Sequence, residues 1–378
     1  MKGKTKALLL CLPLLSASCA VTSPEKPFTP DYVEWTNPDY FPSAVNIPAD
    51  NRLSAQGVTL GRYLFYDGRI GGKRAADSMI SCASCHVQAH GFDAGTDNPR
   101  LKDGRMRGAA GIYTAHVPLP LVNLAYATRG LGWNSALVFP EGSIEKLIAN
   151  TLLDTAEFAS TMRDVEDRIA SIDIYPPMFE AAFGSGTVTF DRVCKALGQF
   201  VRSLVSADSK FDRYLRGEAR LSDEEMRGYV LFTTEEGADC FHCHGGSGNV
   251  LFTTYENLIN GLDPQQAFTD PHDRSGVTGK ESDRGAYRVP TLRNVAHTAP
   301  YMHDGRFATL DEVIDQYSEN VRYSPYISPL MHHVKDGGVQ LTPAEKAALK
   351  AFLLTLSDDD FLQDPAFSDP FVNDTPLP

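Results

Sequence analysis

The sequence lacks several features that mark large classes of proteins. It has no cluster of lysine and arginine, no glycine-rich phosphate-binding loop and no long hydrophobic run after the first twenty residues. Its net charge is −13, and an acidic surface repels nucleic acid while favouring neutral or basic partners. These absences exclude nucleic-acid binding, phosphate-loop nucleotide binding and a membrane span later in the chain.

Cysteine is also scarce. Of the seven cysteines, Cys11 and Cys19 lie in the first twenty residues and four others form two C-x-x-C pairs, which leaves Cys194. A disulfide framework is therefore excluded, as is a zinc site that needs four thiolates in one place. Cys194 lies in TFDRVCKALGQFVRSLV, where apolar residues recur at helical spacing. We expect it to be a packed core thiol.

The first twenty residues, MKGKTKALLLCLPLLSASCA, have the layout of a secretory signal peptide. Three lysines precede an apolar run over residues 7–15, which is too short to span a bilayer, and small residues follow. We therefore expect a periplasmic protein. A cleaved signal and a lipid anchor at Cys19 remain equal alternatives, because Ser16 stands where a lipoprotein signal usually has an aliphatic residue.

Two short motifs carry the chemistry. A C-x-x-C pair alone fits thiol redox chemistry or zinc, but C-x-x-C-H attaches haem: both cysteines form thioethers and the histidine ligates iron. Two such motifs in one chain are not expected from average composition. The sequence therefore predicts two covalently bound haems c, with the first motif at Cys82, Cys85 and His86 and the second at Cys240, Cys243 and His244.

One haem motif in each half predicts a mainly α fold with two cytochrome c-like haem domains and long loops. Strand alternation is scarce, and Ser222, Thr309 and Thr342 each precede a glutamate by three residues, which predicts helix starts. The halves share the motif but little other sequence. The expected organisation is signal peptide 1–20, proline-rich leader 21–50, N-terminal domain 51–205, C-terminal domain 206–356 and acidic tail 357–378.

Residues 287–317, YRVPTLRNVAHTAPYMHDGRFATLDEVIDQY, resemble the signature of the bacterial dihaem cytochrome c peroxidase and MauG family. Residues 132–160, GWNSALVFPEGSIEKLIANTLLDTAEFAS, resemble the MbnH-type enzymes of methanobactin operons. The resemblance implies that hydrogen peroxide reacts at the N-terminal haem and produces a high-valent dihaem state. That state would oxidise a small copper-binding, MbnP-like partner protein in the periplasm. The oxidised residue of the partner would be a tryptophan, which is converted toward kynurenine.

The resemblance also implies a sixth ligand for the second haem iron. The position that matches the tyrosine ligand of MauG-type enzymes is Tyr317, and an anionic oxygen donor stabilises oxidised iron. Met302 and Met331 are the competing ligands, as in peroxidases that take electrons from a small cytochrome. From the residues alone, Tyr317 belongs to an apolar helical stripe and could simply be packed.

Two catalytic residues are carried over in the same way. Trp133 matches the tryptophan that passes electrons between the haems, although it is followed by N-S-A where relatives have D-G-R. Glu157 matches the glutamate over the open haem, where a carboxyl group moves the proton needed for peroxide cleavage. Leu147 and Thr151 replace a glutamine and a proline of the relatives. Without the resemblance, Trp133 would be a half-buried loop aromatic and Glu157 a solvated helix-end carboxylate.

The family also holds a calcium ion between its domains through backbone carbonyls, which here match Thr298 and Pro300. The usual asparagine ligand is replaced near His116.

Other histidines have less specific interpretations. His90 and His116 could cap the open haem but fit surface or propionate contacts better. His303 is expected near the second haem, and His332 with His333 forms a surface pair or a metal site.

Two other functions compete with partner oxidation. One is a cytochrome c peroxidase that detoxifies hydrogen peroxide with electrons from a small cytochrome. The other is a dihaem electron carrier without enzymatic activity.

Overall fold

The computed structural model describes residues 28–71, 79–127, 129–138, 143–245 and 248–373. The expected signal peptide, Cys19 and the first part of the leader lie outside these ranges. Within them, no helix combines the length and the apolar character that crossing a membrane requires.

The described residues are mainly helical, with long loops and short two-stranded antiparallel ladders, so the predicted fold class is confirmed. The helices are α1 Ala55–Tyr66, α2 Ile144–Leu153, α3 Met162–Ala170, α4 Tyr175–Phe183, α5 Phe190–Ser203, α6 Lys210–Leu215, α7 Asp223–Phe232, α8 Phe241–His244, α9 Arg274–Thr278, α10 Leu310–Glu319, α11 Pro343–Leu354, α12 Asp359–Gln363 and α13 Pro370–Asn373. The strands pair as β1 Leu101–Lys102 with β2 Arg105–Met106, β3 Gly130–Leu131 with β4 Leu137–Val138, and β5 Asn257–Leu258 with β6 Tyr287–Arg288.

The three predicted helix starts are confirmed. Ser222, Thr309 and Thr342 are the N-caps of α7, α10 and α11, and each side chain accepts a hydrogen bond from the backbone of the glutamate three residues later. The glutamate side chain bonds back to the cap backbone N–H, which satisfies donors that a helix start otherwise leaves free.

The core of the first half is built on the crossing of α1 and α5. At the crossing, a Cβ atom on Gly61 would lie 2.0 Å from the carbonyl oxygen of Ala196, so only glycine permits this approach. Cys194 lies on α5 and is buried, as expected for a core thiol.

The second half repeats the same crossing with α7 and α11. A Cβ atom on Gly228 would lie 1.9 Å from the carbonyl oxygen of Ala348. The paired segments read GRYLF and GYVLF on the first helix of each pair, and ALGQF and ALKAF on the second. The halves therefore share a helix crossing that their overall sequences conceal.

A buried polar network joins the two halves at Ser206. Asn123, from the first half, exchanges two hydrogen bonds of 3.0 Å with the Ser206 backbone, and Asn294, from the second half, donates to the Ser206 hydroxyl at 3.0 Å. Both asparagines have left-handed backbone conformations, with φ of 60° and 59°. Arg293 and Asp212 form a buried ion pair beside them.

Residues 28–50 of the expected leader lie against the first half. Phe41 is buried and packs edge-on to Tyr126, with ring centroids 5.1 Å apart, and Trp35 meets the same ring at 5.8 Å. Asn46 donates to the backbone of residues 124 and 127.

The C-terminal segment differs from the expected tail. Phe361 and Leu362 on α12 are buried in the core of the first half, and Gln88 donates to the Phe361 carbonyl. The Tyr66 hydroxyl donates to the carbonyl of Phe367 at 2.7 Å. The segment packs because its few apolar residues are placed to cover α1 and the first haem motif, despite the surrounding acidic residues.

The helix crossing predicts that Gly61→Ala destabilises the protein. Alanine gains about 1 kcal/mol of helix propensity over glycine, but overlap with a backbone carbonyl cannot be relieved by a rotamer change. We expect a net loss of about 2 kcal/mol in the free energy of unfolding, measured by denaturant titration. Gly68→Ala is the control, because its Cβ would meet Met79 at an ordinary 3.4 Å. Equal losses in both variants would contradict this packing argument.

Candidate functional site

The histidine of each haem motif is oriented by a backbone carbonyl. Nδ1 of His86 lies 2.8 Å from the oxygen of Phe92, and Nδ1 of His244 lies 3.3 Å from the oxygen of Phe252. A carbonyl only accepts, so Nδ1 carries the proton and Nε2 keeps its lone pair for a metal. Burial lowers the pKa of both imidazoles to about 4, so they are neutral and fit for iron ligation.

Both phenylalanines adopt an unusual backbone conformation. Phe92 has φ of 59° and Phe252 has φ of 51°, a left-handed region that residues other than glycine rarely enter. Both rings are buried, so packing holds the strained backbone and aims the carbonyl at the imidazole. This carbonyl contact could not be predicted from the sequence, because the phenylalanine follows its histidine by different spacings in the two halves.

The motif cysteines fit thioether formation better than thiol chemistry. All four are partly buried and not disulfide-bonded. Burial raises the pKa of Cys82 and Cys85 to about 12 and that of Cys243 to about 11, and also raises the pKa of Cys240. Redox-active cysteines need an accessible thiolate, which this environment disfavours. Together with the neutral histidines, these residues fit two haems c.

Glu157 lies near the first haem motif. Burial raises the pKa of Cys82 and Cys85, and the charge of Glu157 adds to this shift, so the carboxyl group lies close enough to both thiols to interact with them. Burial, with a smaller effect from the charge of Asp154, raises the pKa of Glu157 to about 7, while a hydrogen bond with Thr151 opposes the shift. Such a carboxyl group exchanges a proton near neutral pH.

The second haem motif opens onto a mostly apolar cavity. Tyr317, Met302 and Met331 all line it together with Cys240 and His244. The structure thus brings all three candidate sixth ligands to one cavity. The apolar stripe of α10 lines this cavity and consists of Leu310, Val313, Ile314 and Tyr317, of which Leu310 and Ile314 also belong to the core of the second half.

Asn260 bonds to two of the three candidate ligands. Its Nδ2 donates to the Tyr317 hydroxyl oxygen at 2.9 Å and, more weakly, to the sulfur of Met302 at 3.9 Å. Burial raises the pKa of Tyr317, and the hydrogen bond from Asn260 acts against that shift. Asn260 was not predicted from the sequence, where its only distinguishing feature is that it is a polar residue inside the apolar segment NLINGL.

Trp133 comes from the first half and lines the cavity that contains the second haem motif. Its ring packs against the small apolar cluster of Ala94, Met106 and Val117, against which Cys85 of the first motif also packs. Its Nε1 donates to the carbonyl of Val117 at 2.7 Å, which fixes the ring orientation.

A group of aromatic and ionisable side chains surrounds Trp133. The rings of His116, Tyr287 and His303 lie 6.3 to 6.5 Å from it, centroid to centroid, and Tyr287 stacks on His303 at 3.7 Å. The Asp270 carboxylate accepts from the Tyr287 hydroxyl at 2.7 Å and contacts His116 at 2.5 Å, and these bonds hold its pKa well below the usual range. Asp270 and Tyr287 were missed because the contacts join distant segments.

His90, Thr298 and Pro300 are the remaining predicted residues. His90 is bonded to Asp97 and to the carbonyl of His297, which agrees with the surface interpretation. Thr298 and Pro300 line the cavity of the second motif, and calcium binding there stays a prediction.

Comparisons with known proteins agree with this geometry. A profile of the family described as di-haem cytochrome c peroxidase matches residues 55–220. Cytochrome c551 peroxidase of Nitrosomonas europaea is 32% identical, covering 85% of this chain and 86% of that protein. Methylamine utilization protein MauG of Methylorubrum extorquens is 30% identical, covering 83% and 82%.

Solved structures give the same result. A MauG-like protein associated with microbial copper homeostasis is 32% identical, with a TM-score of 0.78, covering 90% of this chain and 99% of that chain. The diheme peroxidase BthA from Burkholderia thailandensis shares the fold, with a TM-score of 0.67 at 20% identity over 84% of this chain and 90% of that one. With two complete C-x-x-C-H motifs on two cytochrome c-like halves, the chain belongs to the di-haem cytochrome c peroxidase family and is an oxidoreductase of the peroxidase type.

Proposed function

We propose that this protein uses hydrogen peroxide to oxidise a partner protein in the periplasm, in the manner of MauG-like and MbnH-like enzymes. The observation that carries the proposal is the Tyr317 hydroxyl, which lies in the cavity of the second haem motif and accepts a hydrogen bond from Asn260. An oxygen donor at this place stabilises oxidised iron, whereas a methionine favours reduced iron.

Haem, when bound to the two motifs, supplies the iron that accepts and stores the oxidising equivalents of peroxide. The chain supplies the proton transfer. The Glu157 carboxylate takes a proton from one peroxide oxygen and returns it to the other, which leaves as water. Its pKa of about 7 suits both steps, because the group is readily ionised and readily protonated near neutral pH.

Trp133 is proposed to carry electrons between the two haem sites, one at a time. It packs against the same small apolar cluster as Cys85 and lines the cavity of the second motif, so it is placed near both haem motifs. Oxidation of a partner then needs no access to the first haem site: two electrons leave the partner for each peroxide, and two protons complete the two water molecules.

We infer a small copper-binding, MbnP-like protein as the partner, with a tryptophan oxidised toward kynurenine. Opening the indole ring to N-formylkynurenine removes four electrons, so it takes two peroxides, and water supplies the two oxygen atoms that are added. The support is the likeness to a MauG-like protein associated with copper homeostasis, over nearly the whole of that chain. The same proposal includes a calcium ion held by the backbone carbonyls of Thr298 and Pro300. It also includes export directed by the first twenty residues, with a lipid anchor at Cys19 as one outcome.

The second candidate is a peroxidase that removes hydrogen peroxide with electrons from a small cytochrome. Met302 and Met331 line the same cavity as Tyr317, and a relative of this chain carries the name cytochrome c551 peroxidase.

The role of Glu157 predicts a pH dependence. Because the carboxylate is the proton-accepting form, the rate of the first reaction with peroxide should rise as the pH passes through about 7 and then level off. Glu157→Gln should lower this rate by about 100-fold and remove the rise, as followed by stopped-flow absorbance.

Asp154→Asn is the matched control for this experiment. It removes a charge that raises the pKa of Glu157, so the rise should move to lower pH while the plateau rate is kept. A Glu157→Gln enzyme with an unchanged rate would remove Glu157 from the catalytic group.

The role of Tyr317 predicts a spectroscopic change. Tyr317→Phe keeps the aromatic ring at this position of α10 but removes the oxygen donor. The low-spin electron paramagnetic resonance signal of the ferric protein should therefore change while the haem content stays the same. Met302→Leu and Met331→Leu are the controls and should leave the signal unaltered. If a methionine variant alters the signal and Tyr317→Phe does not, the cytochrome-fed peroxidase is the better explanation.

A further inference from the structure

A second cluster of metal-binding side chain types lies beside the second haem motif. Asp239 precedes the motif, His242 lies between its two cysteines, and His332 comes from the loop that follows Met331. One donor atom from each of these three side chains lies within 4.8 Å of the others. None of the three has a role in the peroxide chemistry described above.

The donor atoms converge on the Asp239 carboxylate. Nδ1 of His242 lies 2.6 Å from Oδ1, and Nδ1 of His332 lies 3.4 Å from Oδ2. Donors bound to zinc at 2.0 to 2.2 Å in a tetrahedron lie about 3.3 Å apart. The distance from His332 Nδ1 to Oδ2 already matches this separation. The distance from His242 Nδ1 to Oδ1 would have to lengthen by less than an ångström.

The electrostatics of Asp239 favour a cation. Its side chain is only 6% exposed, and the basic side chains within ion-pair distance of it in the described parts of the chain are the imidazoles of His242 and His332. A buried carboxylate normally has a cationic partner. A divalent ion at the centre of the cluster would supply that charge and would bind a nitrogen of each imidazole.

The surroundings of His242 also match a metal ligand. A carboxylate oxygen of Glu235 lies 3.6 Å from Nε2, the nitrogen on the far side of the ring from Asp239. Histidine ligands commonly present their second nitrogen to a carboxylate, which orients the ring and raises its basicity. His332 is 40% exposed, so an ion can reach the cluster from solvent.

We propose that Asp239, His242 and His332 form a site for a divalent transition-metal ion, Zn²⁺ or Cu²⁺, that is separate from both haem irons. Two imidazoles and one carboxylate suit these ions and not Ca²⁺ or Mg²⁺, which prefer oxygen donors, and water completes the coordination. A bound ion ties the second haem motif to the 331–333 segment, which lines the haem cavity. The site is thus placed to set the position of Met331.

The test uses the haem-loaded protein and Zn²⁺, which is redox-inert. After dialysis against about 10 µM free zinc, a concentration that fills a site with a Kd of about 1 µM, elemental analysis should give one zinc for every two irons. The haem absorbance should be unchanged, because zinc does not displace the irons. His332→Ala should lose this zinc, and Asp239→Asn should lose most of it.

His333→Ala is the matched control. His333 is the adjacent histidine, but its Nε2 faces the backbone oxygen of Glu235 rather than Asp239, so the variant should bind zinc as the unchanged protein does. A wild-type protein without stoichiometric zinc would overturn the proposal. So would zinc that His332→Ala retains, or zinc lost equally from His332→Ala and His333→Ala, because either result means non-specific binding.

Discussion

The buried polar network at Ser206, with the ion pair between Arg293 and Asp212 beside it, joins the two halves that carry the haem motifs. The guanidinium makes two hydrogen bonds to the carboxylate, at 2.6 and 2.8 Å, and it also donates to the carbonyls of Ser206 and Val250. Both side chains are almost fully buried. Removing one partner of such a pair costs about 3 to 5 kcal/mol, because the other charge is left unpaired. The pair lies beside the network in which Asn123 of the first half bonds to Ser206, so it supports the contact between the two halves. Trp133, from the first half, lines the cavity of the second motif, so that cavity also depends on how the halves meet.

A single physical effect prepares the functional groups at both sites. Burial disfavours charge, so it lowers the pKa of His86 and His244 and raises the pKa of the motif cysteines and of Glu157. The outcome differs by residue type: the histidines are neutral and can ligate a metal, the thiols stay protonated until they form thioethers, and the pKa of the Glu157 carboxyl group comes close to 7. One apolar environment therefore produces three kinds of reactivity. The backbone adds direction, because Phe92 and Phe252 hold strained conformations that aim their carbonyls at the ligand histidines.

The features of this structure that depend only on residues close together in the sequence could be predicted from the sequence. The haem motifs, the capped starts of α7, α10 and α11, and the core helix around Cys194 are all set by short-range spacing. The sequence alone could not assign Glu157, Trp133 or Tyr317, and their roles came from a family resemblance and remain proposals.

Other features could not be found in this way, because they join distant segments. Asn260 meets Tyr317 across 57 residues, and Asp270 meets His116 across 154. The packing of Phe361 against the first half had no local signal either, since the surrounding residues are acidic.

The central claim is that the two haem sites react with peroxide as one unit through Trp133. The most direct measurement is stopped-flow absorbance of the ferric protein mixed with one equivalent of hydrogen peroxide, with the bands of the two haems followed separately. Both should change together in the unaltered protein, and in Trp133→Phe the change at the second haem should lag behind that at the first. A change confined to the first haem, or a Trp133→Phe protein in which both haems still change together, would contradict the claim.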